Sequence, residues 1–363
     1  MAPAPRLSEL TTLRVGGPAG TLEDVTREAD FIDAIRDADT TPADLLVLGG
    51  GSNVVVSDAG FPGVVVRDRR SSIEAVDDGA GGASVTVAAG TPWDDVVARA
   101  VAEGWVGIEA LSGIPGSTGA TPVQNVGAYG EEVADSIATV RTWDRAECEV
   151  RSFARTECGF AYRDSLLKRS MRGAADDGEE WFPTPRFVVL DVTFHLRKGS
   201  LSAPIAYGQV ADALGLEVGE RAPLAKVREV VLALRRSKGM VLDVTDHDTW
   251  SVGSFFTNPV LAAADAQRLP QEAPRYPAGD DHSRGTIKTS AAWLIEHAGF
   301  GKGFAVAPGA QAALSSKHTL ALTNRGEATA ADVVALARAI RDGVREAYGV
   351  TLVPEPTLIG VRL

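Results

Sequence analysis

Two glycine-rich segments and a few polar side chains are the residues whose types and spacing can do chemistry. LGGGSN (48–53) sets Gly49, Gly50, Gly51, Ser52 and Asn53 between two apolar runs. Without Cβ atoms, successive backbone N–H groups can close on a phosphate and form an anion nest. The surroundings are not those of a Rossmann phosphate loop. The GxGxxG spacing is missing, and the chain runs on into Val54-Val55-Val56, a strand former where a helix should start. A glycine-rich hairpin turn is the competing account of this stretch. The second segment, GIPGSTGATPVQNVGAYGEEV (113–133), carries Pro115, Gly116, Ser117, Gln124, Asn125, Gly127, Ala128 and Tyr129. It has no helical or strand periodicity, which predicts a long irregular loop of the kind that usually serves function. Two such loops could enclose an extended, phosphate-bearing cofactor, and the Gln124 and Asn125 amides suit a flavin ring edge or a ribitol chain.

Other candidates have plain local explanations. Ser254 in GSFFTNP is flanked by Gly253 and two phenylalanines, which reads as a small residue beside core aromatics. Arg163 in AYRDS has Asp164 next to it for a surface ion pair. Glu355 sits between Pro354 and Pro356, which favour extended backbone, and a solvated acid is its default. Lys238 and Lys302, taken alone, are solvated surface residues.

The elements that must position these residues are legible in part. EADFIDAIRDA (28–38) has helical spacing, and LLVLGGGSN, VVVSD and FPGVVVRD (61–68) supply three strands. ASVTVAAG (83–90) alternates as a strand. The following TPWDDVVARAVAEGW predicts a helix with Thr91 as N-cap, Pro92 in the first turn and Gly104 as its stop. FVVLDVTFHLRK (187–198) is a strand, and PLAKVREVVLALRRSKG (223–239) an amphipathic helix ended by Gly239. TAADVVALARAIRDGVREAYG (329–349) has a Thr/Asp capping box and a stripe of Val333, Leu336, Ile340 and Val344. Breaks fall at RGAADDGEE (172–180), at 237–250 and in the Pro-rich stretch 262–285.

With 363 residues the chain is long enough for two or three domains. A net charge of −12 argues against nucleic acid or an anionic membrane as partner, so an anionic substrate must meet a few local cations. Cys148 and Cys158 are too few for a disulfide framework and fit no zinc spacing, and the five histidines are scattered. No metal site is expected. The N-terminus lacks a signal-peptide core, and no run is long enough to span a membrane, so a cytoplasmic protein is expected. No dimerisation element is evident, and a monomer is expected.

LGGGSN followed by IPGSTGATPVQNVGAYG resembles the FAD-binding domain of the vanillyl-alcohol-oxidase type. With TTLRVGG (11–17), AYRDS (161–165), VGSFFTNP (252–259), IKTSAAWLIE (287–296) and PEPTLIG (354–360), the ordered set is similar to the UDP-N-acetylenolpyruvoylglucosamine reductase family of bacterial cell-wall synthesis. The resemblance implies an α+β chain: a two-part FAD-binding domain (1–70 with the tail 351–363, then 71–235) and a smaller α+β substrate-binding domain (236–350). It implies non-covalent FAD cradled by the two glycine loops, NADPH as reductant, and an enolpyruvyl UDP-sugar reduced to its lactyl ether. By the same resemblance Ser254 is the proton donor, Arg163 the catalytic arginine and Glu355 the catalytic glutamate. Tyr207 closes the pocket, Asn258 bonds substrate, and Lys238 and Lys302 neutralise its pyrophosphate. The glycine loops alone would equally suit an oxidase of the same flavin superfamily, or a flavin-binding module without activity. Segments 172–180 and 262–285 match no motif of the family.

Overall fold

The computed structural model describes residues 4–41, 44–79, 81–172, 180–277 and 285–363. Strands Ala19–Val25, Phe61–Asp68 and Leu45–Val47 form a parallel sheet in that order. Helix Glu28–Asp39 lays Phe31, Ile35 and Ala38 on it, the apolar spacing read from the sequence. The next strand, Val54–Val56, does not join this sheet. It pairs in parallel with Thr357–Ile359 at the other end of the chain. The glycine loop therefore connects strands of two different sheets, which excludes the hairpin turn: a hairpin needs its flanking strands to pair with each other.

A larger antiparallel sheet follows, in the order Glu149–Ala154, Ile137–Asp144, Phe187–Lys198, Gly82–Ala88 and Ile73–Asp77. Helix Trp93–Glu103 covers one face with Trp93, Val96, Val97 and Ala100. Gly104 ends it at φ 72°, a left-handed conformation that suits glycine. The predicted N-cap is one residue off. Pro92 occupies the cap position, and the Thr91 hydroxyl instead exchanges hydrogen bonds with the Ser72 backbone. Residues 200–239 add two helices, Gly208–Leu214 and Leu224–Ser237, around a small core of their own.

The remaining core gathers on helix Ala330–Tyr348, which carries the predicted Thr329/Asp332 capping box and stops at Gly349. Its stripe packs with Phe255, Phe256, Leu294 and Ile295, and also with Leu13, Val15, Val55 and Leu352. The two ends of the chain are thus built into this core. The Pro-rich stretch is partly regular: Val260–Ala262, Thr286–Thr289 and Arg275–Pro277 make a small antiparallel sheet. Residues 173–179 and 278–284, within the two segments that matched no motif, lie outside the described residues. The expected α+β class holds. Among the described residues no helix is long and apolar enough to cross a membrane, and no cluster of His, Cys, Asp and Glu is arranged to hold a metal.

Candidate active site

The two glycine loops touch. A Cβ on Gly50 would lie 2.6 Å from Gly116 Cα, and one on Gly116 would lie 2.7 Å from Ser52 Oγ. Ser52 Oγ donates to Pro115 O at 3.1 Å and ties the loops together. Among the described residues, none of the N–H groups of Gly49, Gly50, Gly51, Ser52 and Asn53 donates to a protein acceptor. Gly49 and Gly50 are exposed, but Gly51 is buried and Ser52 and Asn53 are half-buried, and their amides left without partners call for an acceptor from outside the chain. A run of them beside glycine backbone fits a pyrophosphate, so the residues present fit a dinucleotide cofactor. The second loop is less irregular than its sequence suggests. Ala120–Gln124 is a short helix, and Gly127–Ala128 pairs with Glu131–Glu132, elements too short to leave a period.

Both loops line one cavity of about 530 Å³. Segments far apart in sequence complete its lining. The tail strand runs beside the GSFFTNP motif, with Glu355 N–H donating to Phe255 O at 2.8 Å and Thr257 N–H to Val353 O at 3.1 Å. The flanking prolines of Glu355 keep that strand extended. Ser254 faces the cavity between Gly253 (φ 74°) and two buried phenylalanines, and its hydroxyl has no protein partner among the described residues. Arg163 sits at φ 54° in a tight turn. Its Nη1 donates to Asn125 O at 3.1 Å and its Nη2 to Gly127 O at 2.7 Å. Its Nε lies 3.0 Å from Glu355 Oε1, although the N–H is not aimed at that oxygen. Asp164 pairs with Arg169 instead, so the local ion pair suggested by AYRDS does not form.

Glu355 Oε1 also accepts from Gln124 Nε2 at 3.1 Å, and Gln124 Oε1 accepts from Lys168 Nζ at 2.9 Å. Lys168 reaches back to Arg163 O at 3.0 Å, and burial holds its pKa below the usual lysine range against the pull of Glu355. Lys168 was not singled out in the sequence. Its signal is Ser165, which caps the short helix Leu166–Arg169 and turns Lys168 back over Arg163.

Curated relatives align along nearly the whole chain. A UDP-N-acetylenolpyruvoylglucosamine reductase of Cutibacterium acnes is 52% identical, covering 98% of this chain and 89% of its own. One of Nocardia farcinica is 54% identical, covering 99% and 90%. The chain belongs to the UDP-N-acetylenolpyruvoylglucosamine reductase family. It is an oxidoreductase. Residues 245–359 match the C-terminal domain of that reductase, and residues 23–153 match an FAD binding domain. The solved UDP-N-acetylenolpyruvylglucosamine reductase of Thermus caldophilus shares the fold, with TM-score 0.60 at 24% identity over 98% of this chain and 97% of that one.

The remaining expected residues are not all on the cavity. Gln124, Gly127, Ala128, Tyr129, Pro115, Ser117, Tyr207 and Lys238 line it. Asn125 does not. It is fully buried, its Nδ2 donates to Glu132 and Ala161 O, and its Oδ1 accepts from Ala134 N–H, so its side chain is spent on shaping the loop. Asn258 is also turned away: its Oδ1 accepts from Ala291 N–H at 3.0 Å at the start of helix Ala291–His297. Lys302 is exposed and stands off the cavity, but its charge reaches His318, which lines it. Burial, together with Lys238 and Lys302, holds the His318 imidazole down to about 4, so it is neutral near pH 7. Arg235, missed in the sequence, lines the cavity; among the described residues Met240 O is its only hydrogen-bond acceptor and its Nε is unpartnered. It reads from sequence as one more basic residue in the last turn of an amphipathic helix.

Proposed function

We propose that this chain reduces UDP-N-acetylglucosamine enolpyruvate to UDP-N-acetylmuramate, with non-covalent FAD and with NADPH as reductant. The observation that carries the proposal is the meeting of Ser254, Arg163 and Glu355, from three distant segments, on the cavity that the two glycine loops line. Bound FAD supplies the hydride chemistry, charged by NADPH. The chain's own residues do the rest. Arg163, oriented by two backbone carbonyls, keeps further N–H donors for the substrate carboxylate, whose charge grows as enolate character develops. Ser254 Oγ, free of protein acceptors, gives its proton to the α-carbon. That carbon is a far stronger base than a carboxylate, so a hydroxyl donor needs no strongly shifted pKa. Glu355 joins Arg163 to Gln124 and Lys168 and keeps all four in register. Lys238 and Arg235 on the cavity, and Lys302 at longer range, suit a pyrophosphate, and Tyr207 stands at the rim. Asn258 serves from behind by capping Ala291. The three-part division at about residues 70 and 235, with the tail returned to the first part, accompanies this reading.

Anaerobic absorbance through two additions tests it. NADPH should bleach a bound flavin, and UDP-N-acetylglucosamine enolpyruvate should restore it. Bleaching without recovery points to an oxidase, and a protein that FAD cannot reconstitute overturns the reading from the glycine loop onward.

A further inference from the structure

Glu109 lies ahead of the second glycine loop, is 1% exposed and does not line the cavity. Its Oε1 accepts the Ala203 N–H at 2.6 Å, and its Oε2 accepts the Gly107 N–H at 2.7 Å. Gly107 is a neighbour, whereas Ala203 is 94 residues away. A buried carboxylate that takes one local and one distant backbone donor is a tether, because its removal would leave the distant N–H without a partner. Glu131 stands beside it, with Oε2 accepting the Ala110 N–H at 3.0 Å. Burial, and then the charge of Glu109, pushes the Glu131 carboxyl up to about 8.

Ala203 opens the excursion that carries Tyr207. This excursion closes on itself: Ser202 N–H donates to Ala222 O at 2.8 Å and Ile205 N–H to Glu220 O at 2.8 Å. Its core of Ile205, Val210, Ala211 and Val227 is separate from the others. At the rim, the Tyr207 ring packs edge-on against Tyr129 at 5.5 Å, and Gln209 Oε1 accepts from Lys238 Nζ at 2.7 Å. Both rim attachments are exposed, with Tyr207 itself at 42%. The attachment at Ala203 is half-buried and ends on a fully buried carboxylate.

We propose that Glu109 is a positioning residue of the reductase: by holding the Ala203 N–H it sets where Tyr207 stands over the cavity. This rests on the reading of Tyr207 as a substrate-side residue.

The test is Glu109→Ala in the full-length flavoprotein, followed by amide hydrogen exchange and by steady-state kinetics. Exchange should rise in residues 200–214 and stay unchanged in the Phe187–Lys198 strand. KM for the UDP-sugar should rise about tenfold, with kcat within about twofold and flavin content unchanged; tenfold is the size of losing one hydrogen bond to a charged acceptor. In a Tyr207→Ala background, Glu109→Ala should add nothing further to KM, because the two changes then act through one element. Unchanged exchange in 200–214, or a KM penalty that persists in full in the Tyr207→Ala background, overturns the proposal. If Glu109→Ala loses its flavin, Glu109→Gln, which keeps the volume and one acceptor oxygen, is read by the same two measurements. Wild-type protein that never turns over the UDP-sugar refutes the functional reading instead, and the exchange result still decides the tether.

Discussion

The proposed cofactor cradle and the proposed catalytic wall line one cavity and are built by opposite means. The cradle is backbone: unclaimed N–H groups on glycines packed so closely that Gly50 has Gly116 where its own Cβ would be. The wall is side chains: Arg163, Glu355, Gln124 and Lys168 are joined by an ion pair and hydrogen bonds, and Ser254 lines the same cavity with its hydroxyl unpartnered among the described residues. The difference teaches how each fails. A site made of backbone shape breaks when an atom is added, and a site made of side-chain chemistry breaks when one is removed.

The largest effect belongs to the wall. Ser254→Ala should keep fold and flavin and lose roughly 10²–10⁴ in turnover, the range for removing a general acid. Single-turnover reoxidation of the reduced flavin by substrate checks this, and an unchanged rate would remove Ser254 as proton donor. Next is an addition to the cradle. Gly50→Ala places a methyl 2.6 Å from Gly116 Cα, which should cost about 1–3 kcal/mol of stability and lower flavin occupancy. A urea melt and the flavin-to-protein ratio decide it, and full flavin retention would mean the loops part without penalty. Lys168→Met tests the support behind the wall. It removes the bonds to Gln124 and to Arg163 O, and kcat/KM should fall about tenfold with flavin retained. No change in kcat/KM would mean that Gln124 and Glu355 hold their places unaided.

The smallest effect on the reaction comes from Glu131, at the end of the second loop. Glu131 titrates at about 8 in the folded chain and near the ordinary glutamate value when unfolded. Its contribution is complete below the unfolded value and declines as pH rises toward 8, by at most about 1.4 kcal/mol per pH unit. Glu131→Gln should flatten that decline and leave the pH 7 site intact. Thermal melts at acidic, neutral and alkaline pH show it, and identical slopes in variant and wild type would refute the assignment.

Local signals survived folding almost unchanged. The Ala330–Tyr348 helix has its box, its stripe and its Gly349 stop where the sequence puts them, because these are contacts between residues a few positions apart. Thr91 has the side chain of a cap in sequence, but Pro92 takes that position and the Thr91 hydroxyl is engaged by the Ser72 backbone. In sequence Asn125 and Gln124 are equivalent candidates for flavin-facing amides. One is buried in the loop and the other faces the cavity, a distinction set by Glu132 and Ala134 on one side and Glu355 on the other.

The sequence by itself determined the helices and strands with their stops, the glycine loops as a place for close backbone approach, and the ordered motifs that carry the family resemblance. Through that resemblance alone it also pointed to the three residues that meet on the wall. Only the tertiary structure decided that Val54–Val56 pairs with Thr357–Ile359, that the glycine loop is therefore no hairpin, and that Asn258 caps a helix while Lys168 and Arg235 reach the cavity. The physical reason is range. Propensity, caps and periodicity act over a turn or two of chain, whereas strand partners and side-chain networks are chosen by what the whole chain can bury and satisfy at once.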